Sequence, residues 1–250
     1  MRKRVIPVLL LHKKGLVKSV GFEKYRYVGD PINTVRIFNE KEVDEISIID
    51  IDATREGREP FFETIRDIVS EAFMPVSYGG GVSSMEHVDT LMKNGVEKVI
   101  LSSASHSRPE LITAISRKYG SQSVVVCIDH KRNFWGRQRV FTHNGTRNTG
   151  KDPLAHALEC EKLGAGELVL QSIDRDGTYG GYDLELIRRI SGGVSVPLVA
   201  LGGAGSREDL RLAIQTGASA VAAGSIFVYQ GRNKGVLINY PRLSELPDFN

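Results

Sequence analysis

Short runs of apolar, β-branched residues recur along the chain, separated by longer stretches in which apolar residues return at the helical period. The runs are Val5–Leu11, Ile46–Asp50, Pro75–Tyr78, Lys98–Leu101, Val124–Asp129, Leu168–Gln171, Pro197–Leu201 and Ala220–Ala223. Each is short and mostly apolar rather than strictly alternating, which is how a strand buried on both faces reads. Strands alternating with helices predict right-handed βαβ units and a parallel sheet. Eight such units in 250 residues predict an α/β fold, a closed (β/α)8 barrel of the TIM type.

The pattern is written twice. Gly29-Asp30-Pro31 returns as Lys151-Asp152-Pro153, an offset of 152 − 30 = 122 between the aspartates. The same offset takes Glu45 to Glu167, Ile51-Asp52 to Ile173-Asp174, Gly80-Gly81 to Gly202-Gly203, Asn94-Gly95 to Thr216-Gly217 and Ser103 to Ser225. The chain is expected to be one domain over residues 1–250 with a two-fold half-barrel repeat, the halves covering about 1–122 and 123–250. Two separate domains are disfavoured, because each half alone would leave open sheet edges.

Composition narrows the class without naming a chemistry. With 41% hydrophobic and 25% charged residues, the chain is neither disordered nor membrane-spanning, and at this length about 70–75% of the unfolded surface can be buried. The 33 basic and 30 acidic residues leave a net charge of +3, too mild and dispersed for a nucleic-acid footprint but compatible with an anionic small molecule. No run approaches the roughly 20 apolar residues of a membrane helix. Met1-Arg-Lys-Arg and the run after it resemble a signal peptide only superficially, since Val5–Leu11 is short and meets His12-Lys-Lys-Gly15 without a small-residue cleavage site. Cys127 and Cys160 form no metal or disulfide pattern, so a reducing cytoplasm is expected, with no metal and no cofactor.

In a barrel of this kind, ligands sit at the carboxyl ends of the strands, and phosphates favour loops and short helix N-termini there. The repeat therefore predicts two phosphate sites. One combines Gly80 and Gly81 with Ser102 and Ser103; the other combines Gly202 and Gly203 with Gly224 and Ser225, with Asp176 and Gly177 nearby. Glycine lets the backbone approach an anion while N–H groups and hydroxyls donate to it; the bland alternative is that these glycines only make tight turns. His12, His130 and His143 lack metal-ligand spacing and are read as solvent-facing, and Trp135 as packing on the rim.

Val76-Ser-Tyr-Gly-Gly-Gly-Val82, Tyr119-Gly-Ser-Gln-Ser-Val-Val-Val126, Ile128-Asp129, Asn148-Thr-Gly150, Gly164-Ala-Gly-Glu167, Ser172-Ile-Asp-Arg-Asp-Gly-Thr178, Gly181-Tyr-Asp183 and Gly202-Gly-Ala-Gly205 resemble the cyclase subunit of imidazole glycerol phosphate synthase. The likeness runs from Arg4 to about Phe227 in unbroken order. It implies a barrel that takes ammonia from a separate glutaminase subunit, docked at the amino-terminal face, and conducts it to a substrate with a phosphate at each end. It also implies that Arg4, Glu45, Lys98 and Glu167 form a charged ammonia gate at that face, that Asp129 is the catalytic carboxylate ending the fifth strand, and that Lys18 belongs to a substrate loop. A purely stabilising ion-pair cluster is the alternative for the four, and a solvated lysine loop with Lys13 and Lys14 the alternative for Lys18.

One departure outweighs the matches. The family has a second essential aspartate ending the first strand, in a Cys-Leu-Asp-Val-Lys-Asp-Gly context; here the strand reads Val8-Leu-Leu-Leu-His-Lys-Lys-Gly15, so the carboxylate falls on Leu10 or, with a shifted gap, Leu11. Leucine can neither give nor take a proton. The chain accordingly resembles the paralogues associated with acetamidino modification of bacterial surface sugars, where an ATP-dependent amidotransferase installs the ammonia on a nucleotide-linked or acidic sugar. The tail Lys234-Gly-Val-Leu-Ile-Asn-Tyr-Pro241 resembles theirs, where the cyclase has a longer final helix. A histidine-pathway cyclase with a rearranged first strand and a sugar-phosphate isomerase remain the other expectations. Neither a nucleic-acid nor a membrane partner is expected, and Asp129 could instead pair with Arg175.

Overall fold

The computed structural model describes residues 3–231, 233–241, 245, 246 and 249. Eight parallel strands close into a barrel: β1 (Arg4–His12), β2 (Ile46–Asp50), β3 (Val76–Gly79), β4 (Lys98–Leu101), β5 (Val124–Arg132), β6 (Glu167–Ser172), β7 (Leu198–Leu201) and β8 (Ala220–Ala223). Each pairs with the next, and Arg4↔Ala220 brings β8 back to β1. The predicted strands are all present, within a few residues of their expected bounds.

Because successive side chains on a strand face opposite ways, the apolar runs divide between two cores. Val5, Leu9 and Leu11 of β1, with Ile46 and Ile48 of β2, face outward against helices α1 (Pro31–Glu40), α2 (Phe62–Ser70), α3 (Met85–Lys93), α4 (Glu110–Tyr119), α5 (Pro153–Leu163), α6 (Leu184–Ser191) and α7 (Arg207–Thr216). Ile6, Val8, Ile100, Val125, Val169, Val199, Ala220 and Ala222 face inward, with Leu10, Ile49, Cys127 and Leu201 packed on them. This inner cluster lines the barrel axis, so the lumen is apolar along most of its length.

The 122-residue offset is occupied by matching devices. Asp30 caps α1 and Asp152 caps α5, each through its side chain and each followed by proline at the first helical position. Ser84 caps α3 and Ser206 caps α7 (206 − 84 = 122), each by accepting a backbone N–H of the first turn.

Two features depart from the simple alternation. β1 continues into an antiparallel excursion, Gly15–Val20 paired with Glu23–Gly29, and β5 continues into another, paired with Gln138–Thr142. The last helical position holds only Ser225–Val228. The chain then runs extended: Leu237 N–H donates to Val228 O and Asn239 N–H to Phe227 O, both at 2.9 Å. Ile238 and Tyr240 cover the barrel there, and Tyr240 Oη donates to Val5 O at 2.9 Å. Among the described residues no helix is long and apolar enough to cross a membrane.

Candidate functional site at the two ends of the barrel

At the amino-terminal rim, four charged side chains close a ring. Arg4 and Lys98 are the first residues of β1 and β4, Glu167 is the first of β6, and Glu45 immediately precedes β2. Strand alternation aims all four at the axis. Arg4 Nη1 reaches Glu45 Oε2 at 2.5 Å, Lys98 Nζ reaches the same oxygen at 2.8 Å and Glu167 Oε2 at 3.1 Å, and Arg4 also pairs with Glu167. Two cations and two carboxylates thus alternate with no charge left over. Burial alone would lower the Arg4 pKa; the Glu167 hydrogen bond and the charges of both carboxylates outweigh it and hold it above its ordinary value.

Inside the ring a cavity of about 170 Å³ runs up the axis, with Glu45 and Glu167 in its lining at one end and Asp129, Asp176 and Lys18 at the other. Just above the ring the buried hydroxyls of Ser47 and Ser77 bond each other at 2.7 Å. Beyond them the walls are the inner apolar cluster.

The alternation also decides which of Leu10 and Leu11 faces the cavity. Leu10 lines this cavity, whereas Leu11 is 3% exposed and packed in the outer core. Asp129, four strands away around an eight-strand ring, faces the same cavity. Its Oδ2 accepts the Ser102 hydroxyl at 2.6 Å, and Cys127 Sγ stands 3.5 Å from Oδ1. Burial pushes the Asp129 carboxyl up to about 6, against those two hydrogen bonds and helped by the negative charge of Asp176. Arg175 is turned elsewhere, donating to the carbonyls of Gly180 and Gly181, so it is Ser102 and not Arg175 that partners Asp129.

Lys18 is not part of a solvated loop: Lys13 and Lys14 are exposed, but Lys18 is 5% exposed, with Nζ donating to Val8 O. Burial pulls its pKa down to about 8, partly opposed by Asp176. A Cβ on Gly224 would come within 2.6 Å of this Nζ, so the ammonium abuts the Gly224-Ser225 loop. Asp176, itself raised by burial, accepts the Ser19 hydroxyl at 2.7 Å and the Phe22 N–H at 3.4 Å. That carboxylate ties the β1 excursion across the mouth.

All ten residues of the two predicted phosphate clusters line the one cavity. Gly80 and Gly203 have φ of +112° and +110°, and a side chain on either would collide with a backbone oxygen, Asp50 O at 2.2 Å or Gly181 O at 2.1 Å. Their glycines are required by backbone crowding whatever binds. Ser102 is committed to Asp129, and Ser103 Oγ accepts the His143 N–H at 3.0 Å; Ser103 and Ser225 each begin a short helix.

Several expectations are corrected around this mouth. His130 is 1% exposed rather than solvent-facing; its Nδ1 meets Gln138 Oε1 at 2.9 Å and burial lowers its pKa. His12 pairs with Asp52 at 2.9 Å. Trp135 does not pack on the rim: it is 79% exposed beside Phe134 at 94%. The Asp50–Arg58 pair, at 2.9 Å, was not singled out from sequence, although the Asp-x-Asp ending β2 was a signal. His156, 2% exposed on α5, meets Ser105 Oγ at 3.1 Å, and that hydroxyl donates to Ser102 O at 2.6 Å, behind the Asp129 site. Among the described residues no group of three His, Cys, Asp or Glu side chains could hold a metal ion.

Comparison with known proteins finds relatives over most of the chain. Residues 4–234 match the family of histidine biosynthesis proteins. A Pseudomonas aeruginosa protein, provisionally named imidazole glycerol phosphate synthase subunit hisF2, is 50% identical over 98% of both chains. A Vibrio vulnificus protein, provisionally named subunit hisF3 of the same enzyme, is 48% identical over 98% of this chain and 95% of its own. The imidazole glycerol phosphate synthase subunit HisF of Exiguobacterium sibiricum is 42% identical over 91% of each.

Proposed function

Since the chain belongs to the histidine biosynthesis protein family, with the HisF-type subunits of imidazole glycerol phosphate synthase, we propose that it is an ammonia-conducting subunit that has given up cyclisation. A glutaminase docks on the amino-terminal face, and its ammonia passes the Arg4–Glu45–Lys98–Glu167 ring, travels the apolar lumen and leaves at the Asp129 end. There an ATP-dependent amidotransferase uses it to build an acetamidino group on a nucleotide-linked or acidic bacterial surface sugar. The observation that carries this reading is Leu10 in the lumen, where cyclisation needs a carboxylate to face Asp129, above a ring that keeps all four charged residues.

Physical chemistry supports a conduit. Neutral ammonia crosses an apolar layer cheaply, while an unpaired ammonium ion in the same place pays a large desolvation cost. The inner cluster of valine, isoleucine and alanine favours the neutral molecule, and the ring, which lies at the entry, can hold bulk water back. Phe73, 90% exposed just before β3 and so at the amino-terminal end, supplies an apolar contact for the glutaminase. Two free cysteines fit a cytoplasmic protein. At the outlet, Lys18 and the glycine-serine loops offer an anionic sugar both charge and N–H donors; Asp129, raised towards neutrality, is available as a residual acid or base.

The competing reading is the cyclase of histidine biosynthesis. Dividing acid and base roles between two opposed carboxylates is the chemistry that leucine cannot replace. The test supplies the bis-phosphorylated histidine-pathway intermediate with an ammonium salt. The expected outcome is no turnover above background; turnover at an ordinary enzymatic rate overturns the conduit reading.

A further inference from the structure

We propose that the excursion from β5 is a docking arm for the protein that consumes the ammonia. It takes hold of an acidic surface whose apolar pocket receives Phe134 and Trp135. The inference rests on the conduit reading and adds where, and by what chemistry, the consuming protein binds.

The arm is tied by hydrogen bonds where it is bare. Lys131 pairs with Arg139 and Arg132 with Gln138. The turn beyond them is held by Asn133, whose N–H donates to Arg137 O at 2.9 Å and whose Oδ1 accepts the N–H groups of Trp135 and Arg137 at 3.0 Å. On this fixed turn Phe134 and Trp135 stand 94% and 79% exposed, edge to face at 5.6 Å. Large rings with only two rotatable side-chain bonds lose little conformational entropy when a partner covers them, and tryptophan and arginine are the residues that most often dominate such contacts.

Charge selects the partner. Residues 131–151 contain six lysines and arginines and no aspartate or glutamate. The stretch is +6 in a chain whose total is +3, so the remainder sums to 3 − 6 = −3. Arg132, Arg137 and Arg147 are exposed. The complement is an acidic protein face. A small anion is not the occupant at the tip, because rings this exposed are convex and enclose nothing.

Position supplies the reason. The base of the same arm builds the cavity mouth: His143 N–H donates to Ser103 Oγ at 3.0 Å, Asn144 Nδ2 donates to Ile51 O, and Asn144 lines the cavity. A protein seated on the tip lies over the outlet, at the opposite end of the barrel from the ring. Ammonia released there into open water would be protonated and lost, so the consumer must cover that mouth.

The experiment titrates the full chain, already bound to its glutaminase, with the ATP-dependent amidotransferase. Wild type is compared with a Phe134→Ser/Trp135→Ser pair and an Arg132→Glu/Arg137→Glu pair. These side chains lie outside the cavity, and circular dichroism checks that each variant is folded. Each pair is expected to weaken binding by about tenfold or more, and wild-type binding is expected to weaken with salt, while glutaminase affinity is unchanged. Wild-type affinity in both variants, no binding of the amidotransferase to wild type, or its competition with the glutaminase overturns the proposal. Tight, variant-sensitive binding of a single-stranded RNA in place of the amidotransferase also overturns it. Failure of the glutaminase to bind the unmodified chain, read in the same titration series, is the separate signature of a wrong conduit reading.

Discussion

At the scale of single residues, burial decides the behaviour of the two titratable groups at the cavity's outlet. The Asp129 carboxyl, raised to about 6, holds its proton in the folded state over a range where an unfolded aspartate, near 3.9, has lost it. The stability this contributes is complete below about pH 4 and lost as pH rises through about 6. Asp129→Asn should therefore stabilise the fold by about 1–3 kcal/mol at pH 8 and by little at pH 4. Urea denaturation at the two pH values checks this, and equal effects at both would show that ionised Asp129 carries no burial penalty. Lys18 has the opposite sign: its pKa near 8 means that it is charged below that pH and neutral above. Beside Gly224-Ser225, it should make sulfate binding weaken as pH rises through about 8, and Lys18→Met should bind sulfate more weakly with no such dependence. Calorimetric titration at pH 7 and 9 decides the point; an unchanged pH dependence in the variant removes Lys18 from the anion site.

At the scale of elements, the extended residues 237–240 cover the barrel as a helix does elsewhere in the ring. Ile238 and Tyr240 cover the barrel wall left open by the four-residue helix Ser225–Val228, and the Tyr240 hydroxyl fastens the segment to Val5 O at 2.9 Å. Tyr240→Phe keeps the packing and removes the hydrogen bond, so a loss of about 1 kcal/mol is expected, seen as a fall of roughly 2–4 °C in Tm. A calorimetric Tm equal to wild type would mean that packing alone holds the segment. Of the turns in the two strand excursions, those at Gly21, at Asn133 and Gly136, and at Asn144-Gly145 carry the usual glycine and asparagine signals, but the first does not. Lys13 and Lys14 make the first, with φ of +48° and +68°, a conformation usually given to Asn-Gly. The surrounding pairing imposes it on two lysines.

At the scale of the whole molecule, the lumen joins the ring to the Asp129 end of the cavity, so the proposed gating by the ring is tested at the far end. Lys98→Met leaves Glu45 and Glu167 with Arg4 as their remaining cation in the ring, and a fall in stability of a few kcal/mol, about 1–3, is expected from disturbing a half-buried pair. Glutamine hydrolysis by the complex should stay near wild type, while glutamine-driven product formation falls severalfold more than product formation driven by added ammonium. If the two activities respond alike, the four residues are a stabilising cluster and nothing more, the usual meaning of chemistry at the bottom of a barrel.

The eight strands, their closure and the two-fold offset are readable from the amino-acid sequence, because they depend on hydrophobic period and glycine placement, which are local and repeat along the chain. The four ring residues and Asp129 were named through the resemblance to the cyclase family; the period itself places only the four near strand starts and Asp129 at the end of the fifth apolar run. What only the tertiary structure decided depends on which way a side chain faces and what stands opposite it. Leu10 rather than Leu11 meets the lumen because β1 starts at Arg4 and alternates from there. Lys18 turns inward because the excursion after β1 folds over the mouth and is tied to Asp176. His130 is buried because β5 runs past Asp129 into a paired hairpin, and the same pairing carries Phe134 and Trp135 out into solvent. Strand register, the folding of the two hairpins over the mouth and the long-range tie to Asp176 set these orientations, and hydrophobic period alone does not encode them.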